Sequence, residues 1–472
     1  GREFMQQSLP AITMSRGVIL LTLALTYIIY SFTDLPISLF LISLVILAFA
    51  VSLPYMKAFP KYMSLLLIFF GNLIFFLSKG DGQYWVDSVL NNVALVALFI
   101  TVPLLSYPLK NGGYIEYVDQ LVSKYLKSSI AKIAFITAST CVMSSFLNLG
   151  SLRVMYDLFI GRFGYLNKIF VRSLVQGFSL AAFWSPYFAG VAIIMHLAGV
   201  KFVSFLPYGL GMVIICYLTS IIINYLYISK EKDKDMDTSS LMASGIETRR
   251  NIRPAQSEIS HRKGIELFVA FIGLFLSLFL LEKWLHDQNV LILISILAIA
   301  YTFVWSLLIK KMKELAHSLK DYFKEVAPNV HTESIMIISA TFFSQMVMLS
   351  DFPVILSSLF SKTSGISLIL TILIIMFTCV IASFFIHQVL PISIFATTIS
   401  PEAIGLKPEL FVLTLIISWG ITPLISPVSA ANMIAAGLFK TKPFEIGFLN
   451  MIYTIFIIFL SSFTIFLTNK IL

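Results

Sequence analysis

The chain has 472 residues, of which 58% are hydrophobic and only 12% are charged. Soluble domains carry about 25% charged residues, so this composition excludes an ordinary soluble globular protein. The net charge of +9 fits the Lys/Arg excess of cytoplasmic loops in a membrane protein, and it does not indicate a nucleic-acid partner.

The first helices follow a short terminal segment. Gly1 to Phe4 precede Met5 and resemble a tag remnant, so we assign 1–17 to this remnant and a cytoplasmic tail. Apolar runs of about 20 residues, the length that crosses the hydrocarbon core, recur from residue 18 onwards. Helices are predicted at 18–33, 35–52, 62–78 and 88–109, an amphipathic stretch at 114–127, short arms at 128–145 and 149–160, a long segment at 166–200 and a helix at 203–228.

The second half repeats this order after a hydrophilic loop. Residues 229–263 are rich in Lys and Arg and poor in apolar residues, which predicts a flexible cytoplasmic linker. Helices are then predicted at 264–281, 289–309 and 333–350, a charged surface stretch at 311–327, an amphipathic piece at 352–362, arms at 366–384 and 388–400, a long segment at 409–440 and a final helix at 444–469. The sequence therefore predicts an all-α polytopic membrane protein with about 11 transmembrane helices and two re-entrant hairpins, 128–160 and 366–400.

Short matching blocks indicate that the two halves are copies of one unit. Residues 140–146 (TCVMSSF) and 378–384 (TCVIASF) share five of seven letters at an offset of 238. Residues 121–124 match 359–362 at the same offset, and Ser185-Pro186 matches Ser426-Pro427 at an offset of 241. Blocks in one order at nearly constant spacing predict a first helix plus repeat 1 at 18–228 and repeat 2 at 264–472.

Charge predicts how the two copies are oriented. Basic residues surround the first predicted hairpin from Lys110 to Arg172, whereas Lys362 and Lys407 alone flank the second. Because basic residues accumulate on the cytoplasmic side, the first hairpin is expected to open inward and the second outward. The expected location is the cell membrane, multi-pass, with a cytoplasmic N-terminus and an extracytoplasmic C-terminus.

Each repeat contains a long apolar segment interrupted by Ser-Pro. Pro186 and Pro427 remove a backbone donor and disfavour helical geometry in the preceding residue. Lipid cannot satisfy the freed groups, so interrupted backbone at this depth belongs beside protein or a polar cavity. We expect both interruptions and both hairpin tips to meet at a transporter binding site. One Ser-Pro on its own is more consistent with a simple kink in a packed helix, but its occurrence in both repeats favours a functional break.

This arrangement resembles the divalent anion/sodium symporters of the ion transporter superfamily. The resemblance covers 18–469 in architecture and implies eleven spans, inverted five-helix repeats, two re-entrant hairpins, discontinuous helices and an elevator motion. Family hairpin tips carry a Ser-Asn-Thr signature, whereas the tips here read SFLN at 145–148 and SFFIHQ at 383–388. Only the Ser has a counterpart, so the family's dicarboxylate or citrate specificity is not carried over.

The candidate substrate-binding residues are polar or aromatic side chains near the tips and interruptions. They are Ser145, Asn148, Arg153, Trp184, Ser185, Ser383, His387, Gln388, Ser426 and Asn432. A guanidinium such as that of Arg153 is a natural carboxylate partner, but its spacing from Asp157 also allows a pair on one helix face. Ser and Asn also cap helices, and Trp184 also suits plain packing.

The candidate ion-coupling residues offer oxygen atoms at the same places. They are Ser144, Ser145, Ala189 (through its backbone), Ser383, Ser429 and Asn432. His196 and His387 would instead suit proton coupling, since imidazole titrates near neutral pH. Na⁺ or H⁺ is thus the suspected coupling ion. No other cofactor, no catalytic residue and no metal-ligating residue is predicted, because the three Cys residues lack metal-ligand spacing.

The predicted function is an ion-coupled secondary transporter of a small anionic or zwitterionic solute. Its expected partners are that solute, the lipid bilayer and, by analogy with elevator transporters, a second copy in a homodimer. The alternatives are a flippase for a lipid-linked anionic substrate and a polytopic membrane enzyme acting on lipid-linked substrates. Short, nearly uncharged external loops disfavour the enzyme, and no phosphate-binding Gly-rich loop supports ATP-driven transport.

Overall fold

The computed structural model describes residues 2–33, 35–125, 128–163, 167–235, 261–285, 288–384, 387–427 and 429–471. Within these ranges the regular secondary structure is helical throughout. The predicted all-α membrane fold is therefore confirmed. Most of the predicted linker, residues 236–260, lies outside the described ranges.

The helices of the first half follow the predicted order closely. They are α1 (Arg2–Tyr30), α2 (Ser38–Ser52), α3 (Ala58–Leu77), α4 (Gly82–Asn91), α5 (Val93–Thr101), α6 (Ser106–Asn111), α7 (Tyr114–Tyr125), α8 (Ser129–Leu147), α9 (Gly150–Phe163), α10 (Asn167–Ala181), α11 (Ala189–Ala198) and α12 (Phe202–Asp235). A 3₁₀ turn, Val102–Leu105, joins α5 to α6, so the predicted single helix at 88–109 is segmented.

The helices of the second half also occur in the predicted order. Its helices are α13 (His261–Trp284), α14 (Val290–Leu308), α15 (Met312–Asp321), α16 (His331–Val347), α17 (Phe352–Ile366), α18 (Leu368–Ala382), α19 (Val389–Thr398), α20 (Pro408–Ile425), α21 (Ala430–Phe439) and α22 (Pro443–Ile471). Helices α16 and α17 meet at 82°, which agrees with a membrane helix followed by a separate amphipathic piece.

Length and composition identify eight membrane-spanning helices in the described part of the chain, or nine if the bent pair α16–α17 counts as one span. The other two predicted crossings are α1 and the interrupted pair α10–α11. In α1 the described apolar stretch is only Ser15–Tyr30, and the interruption between α10 and α11 leaves two short helices.

Helix α3 shows how the outer surface suits lipid. Phe69 and Phe76 are exposed, whereas Gly71 turns inward. A methyl group at Gly71 would lie 2.9 Å from the Phe342 ring of α16. Small residues at helix contacts and apolar residues outside are the usual pattern in a bilayer.

Helix α10 forms the centre of the protein. Its described side chains from Ile169 to Ala181 are all buried. It packs closely on α8 because Gly177 has no side chain: a methyl group there would lie 2.5 Å from the carbonyl oxygen of Thr137. The backbone of the first predicted hairpin thus rests directly on the interrupted helix.

Buried polar side chains connect α10 to the last helix of each half. The Gln176 amide donates to Asn450 of α22 at 3.0 Å and accepts from Ser220 and Asn224 of α12 at 2.6 and 2.8 Å. The Arg172 Nε donates to the Asn224 Oδ1 at 2.8 Å. Since buried polar groups require partners, these bonds fix α10 between α12 and α22.

We predict that Gly177→Ala destabilises the protein by about 1–3 kcal/mol, because the methyl group meets backbone that cannot rotate away. Thermal unfolding of the purified protein in detergent measures this. Gly211→Ala in α12 is the matched control, since a methyl group there meets nothing within 4 Å. Equal unfolding temperatures for the two variants would contradict the close α8–α10 contact.

Candidate functional site

The first interruption, residues 182–188, lies between α10 and α11 and is termed the first break. Pro186 stands at its centre and prevents a continuous helix. The backbone N–H of Phe188 donates to the carbonyl of Ser185 at 3.0 Å, a turn that satisfies part of the freed backbone. Because Ser185 is fully buried, its hydroxyl needs a protein partner.

The second break, residues 426–429, separates α20 from α21. Pro427 lies within it, and Pro423 removes another backbone donor from the last turn of α20. The Ser429 hydroxyl accepts from the backbone N–H of Asn432 at 3.1 Å and so caps α21. The two predicted Ser-Pro interruptions are thus both present as breaks in the helix.

Each break is hydrogen-bonded to the hairpin of its own half. The Ser185 hydroxyl donates to the carbonyl oxygen of Ser145 in the first hairpin, α8–α9, at 3.3 Å. The Ser426 hydroxyl donates to the carbonyl oxygen of Ser383, at the end of α18 in the second hairpin, α18–α19, at 3.2 Å. All four serines are buried.

The hairpin serines also repeat their own bonding. The Ser145 hydroxyl donates to the carbonyl of Cys141 at 3.0 Å, and the Ser383 hydroxyl donates to the carbonyl of Cys379 at 2.6 Å. These are the residues that the matching sequence blocks align. Corresponding positions in the two halves therefore make corresponding contacts.

Helix α20, which leads to the second break, contacts the first break and the helices that flank it. The Ser179 hydroxyl of α10 donates to the carbonyl oxygen of Gly420 in α20 at 2.6 Å. A methyl group at Gly420 would lie 2.5 Å from the Phe183 ring, and one at Gly190 would lie 2.4 Å from the indole of Trp419. Gly420 and Gly190 thus let α20 pack closely on the first break and on α11.

A cavity of about 220 Å³ lies at the tip of the first hairpin. One wall comes from α5, the 3₁₀ turn and α6. The other comes from the hairpin tip, Leu147 to Gly150, and from Tyr187 of the first break. Asn148 has φ of +48° and ψ of −131°, a positive-φ conformation outside the left-handed helical region that residues other than Gly rarely adopt. No described protein group hydrogen-bonds its side-chain amide, which leaves the amide free for a ligand.

Asn432 has a second side-chain polar atom without a hydrogen-bond partner among the described residues, its Oδ1. Its side-chain N–H donates to the carbonyl of Ser426 at 3.0 Å, while its Oδ1 accepts no hydrogen bond from the described protein atoms. The residue is completely buried. Leaving such an acceptor unsatisfied costs about 1–3 kcal/mol, so Oδ1 is suited to a cation or a donor.

Several predicted residues have structural partners instead. The Ser144 hydroxyl lies 2.6 Å from the Ser151 hydroxyl and joins the two arms of the first hairpin. The indole of Trp184 stacks on Phe275 of α13, with centroids 5.0 Å apart and planes at 17°. These contacts hold the hairpin and the break in place.

Arg153 lies away from the cavity-lining residues. Its Nε contacts the Asp157 carboxylate at 2.8 Å, and both side chains are more than half exposed. This is the helix-face pair that the spacing allowed, and exposed pairs of this kind contribute little stability.

The remaining predicted residues border the second hairpin and the first break. The His387 Nδ1 accepts from the backbone N–H of Val389 at 3.3 Å, at the start of α19. Gln388 is half-buried and makes no capping bond. Ala189 begins α11, and its side chain lies outside the described residues.

The wall formed by α5 and α6 was missed as part of the site. Lys110 entered the sequence analysis only as a topological charge, yet it lines the cavity together with Ser106. Pro103, within the apolar run predicted as one helix at 88–109, is the signal that could have indicated a segmented wall. In the described part of the chain, no three His, Cys, Asp or Glu residues are grouped as metal ligands.

Comparison with known sequences identifies a carrier family. The sequence model of the C4-dicarboxylate anaerobic carriers, DcuC, matches residues 173–470, from within α10 to the end of α22. No curated protein matches the chain.

Solved transporter structures share the fold. The YdaH transporter of Alcanivorax borkumensis aligns with a TM-score of 0.57 and 13% identity, covering 85% of this chain and 97% of its own. MtrF of Neisseria gonorrhoeae, from a class of antimetabolite efflux pumps, aligns with a TM-score of 0.52 and 14% identity, covering 87% and 95%. At these identities the likeness concerns fold alone. The family match, together with this shared fold, confirms the prediction that the protein is a membrane transporter rather than an enzyme.

We predict that Ser185→Ala and Ser426→Ala each loosen one hairpin. Each change leaves a buried carbonyl without its donor, at a cost of about 1 kcal/mol. Hydrogen exchange should rise around 141–148 in Ser185→Ala and around 379–384 in Ser426→Ala, so each variant is the control for the other. Unchanged exchange, or an equal rise in both hairpins, would show that the serine bonds do not hold them.

Proposed function

The chain belongs to the C4-dicarboxylate anaerobic carrier family, and we propose that it is an ion-coupled secondary transporter of a small dicarboxylate. The observation that carries this proposal is the repeated bond from a break serine to a hairpin carbonyl. It keeps two helix interruptions beside two hairpin ends, which is the layout in which secondary transporters bind solute and ion.

Substrate binding is supported by the first hairpin and the ends of the short helices. Helices α11 and α21 both begin at a break, and the N-terminus of a helix favours anions such as carboxylates. The free amide of Asn148 supplies a hydrogen bond from the tip. The cavity of about 220 Å³ is below the range of about 300–1,000 Å³ common for drug-sized ligands, which favours a small solute over a lipid-linked one.

Ion coupling is supported by the second break. Asn432 offers a buried oxygen without a donor, and the Ser429 hydroxyl lies at the same helix end. Oxygen atoms at an interrupted membrane helix are suited to Na⁺. The proposed coupling ion is therefore Na⁺, as the resemblance to divalent anion/sodium symporters also implies, with H⁺ as the alternative.

The mechanism proposed is of the elevator type. The serine bonds join each break to its hairpin, and the Ser179–Gly420 bond joins the two halves, so these elements are linked into one body that can move together. The copies are inverted, with a cytoplasmic N-terminus and an extracytoplasmic C-terminus, as the distribution of basic residues favours. A homodimer remains a proposal by analogy.

Proteoliposomes test the function directly. Labelled succinate, a C4-dicarboxylate, is expected to accumulate under an inward Na⁺ gradient, and neither an equal Na⁺ concentration nor a pH gradient alone should drive uptake. Accumulation driven by the pH gradient alone would reassign the coupling ion to H⁺. Absence of succinate flux under every gradient and in exchange would refute the proposed function.

Asn148→Ala and Asn432→Ala are expected to impair different steps. Loss of a hydrogen bond to a charged group costs about 1.5–3 kcal/mol, or tenfold and more in affinity. Asn148→Ala should raise the half-saturating succinate concentration, and Asn432→Ala the half-saturating Na⁺ concentration. Asn469→Ala at the far end of α22 is the control, because its amide bonds Gly405 away from both breaks. Unchanged half-saturation in both test variants would remove these residues from the site.

A further inference from the structure

A lysine side chain lines the cavity at the first hairpin tip and has no role in the substrate site proposed above. Of the described residues lining it, Lys110 alone is charged. Ser106 lies four residues earlier on α6, so both side chains are on one helix face. Lys110 has no acidic partner within salt-bridge distance among the described residues, and its Nζ lies 5.9 Å from the ring centroid of Tyr107.

The position of Lys263 indicates which side of the membrane this cation faces. Its Nζ donates to the carbonyl oxygen of Gly112, two residues after Lys110, at 2.8 Å. Lys263 is the last residue of the predicted basic linker, 229–263. Because such a linker belongs on the cytoplasmic side, the Lys110 end of the cavity is the cytoplasmic end.

We infer that Lys110 binds a substrate carboxylate at the cytoplasmic mouth of the transport path. The inference rests on the proposed function and adds a second anion-binding position to it. The hairpin tip with Asn148 and the end of α6 with Lys110 line one small, mostly apolar cavity. One carboxylate of a dicarboxylate contacts the tip, and the other contacts the ammonium group.

A fixed cation in this place contributes to affinity for two reasons. No carboxylate among the described residues lies within salt-bridge distance of its ammonium group, and Leu98, Val102 and Pro103 form an apolar wall that strengthens electrostatic attraction inside the cavity. A lysine that only anchors the membrane topology would not distinguish one substrate from another. Because Lys110 lines the cavity, we expect it to affect substrate affinity as well as membrane topology.

Exchange of labelled succinate for unlabelled succinate tests the inference without an ion gradient. Inside-out vesicles present the cytoplasmic mouth to the added substrate, and right-side-out vesicles present the other face. Lys110→Gln should raise the half-saturating succinate concentration about tenfold in inside-out vesicles. In right-side-out vesicles the change should stay below about twofold, since Lys110 is out of reach from that face.

The substrate provides the second arm of the test. Monomethyl succinate has one carboxylate and should compete with labelled succinate equally well in wild type and Lys110→Gln. Lys110→Arg should restore most of the succinate affinity. Lys57→Gln removes an exposed charge at the start of α3 and is the matched control.

The outcomes separate the two proposals. Wild-type protein that exchanges no succinate contradicts the proposed function itself. Normal wild-type exchange with an unchanged Lys110→Gln variant overturns the Lys110 site alone. The site is also overturned by an equal effect on both faces, an effect on the outer face alone, or an equal loss for monomethyl succinate.

Discussion

The structure depends on satisfying interrupted backbone inside a membrane. Pro186 and Pro427 break two helices where lipid offers no hydrogen-bond partner. Turns within each break satisfy part of the freed backbone, as in the bonds from Phe188 N–H to the Ser185 carbonyl and from Ser429 N–H to the Ser426 carbonyl. In both halves a serine at the break also donates its hydroxyl to a carbonyl at the end of a hairpin helix, and this bond holds the break beside the hairpin.

The surrounding packing keeps that arrangement compact. Gly177 lets α10 rest on the backbone of α8, and Gly420 lets α20 approach the first break. The amide of Gln176 reaches Asn450, so the centre of the first half is tied to the last helix of the second. Rigid contacts around a binding site matter for a transporter, because a loosened site would lose affinity for its solute.

The sequence predicted the elements better than the contacts between them. Apolar runs of membrane length and Pro residues are local signals, so the helices, both breaks and both hairpins could be placed. The bonds of Ser185 and Ser426 join residues 40 and 43 positions away, and no local pattern shows which carbonyl will be close. Asn432 was chosen for its residue type, and the structure adds that its Oδ1 is buried without a donor.

Charged residues were the hardest to interpret from sequence. The guanidinium of Arg153 is a natural partner for a substrate carboxylate, yet it forms an exposed pair with Asp157. Lys110 was counted only for topology, and it lines the cavity. Both outcomes depend on how α5, α6 and α9 pack, and packing direction is set by long-range contacts.

Labelling at the bases of the two hairpins tests the inverted arrangement most directly. Ser128 and Gly365 are exposed at these bases, and the native Cys141, Cys216 and Cys379 are buried. With a membrane-impermeant thiol reagent, Ser128→Cys should react only in inside-out vesicles and Gly365→Cys only in right-side-out vesicles. Reaction of both variants from the same face would contradict the paired, inverted architecture on which the transport proposal rests.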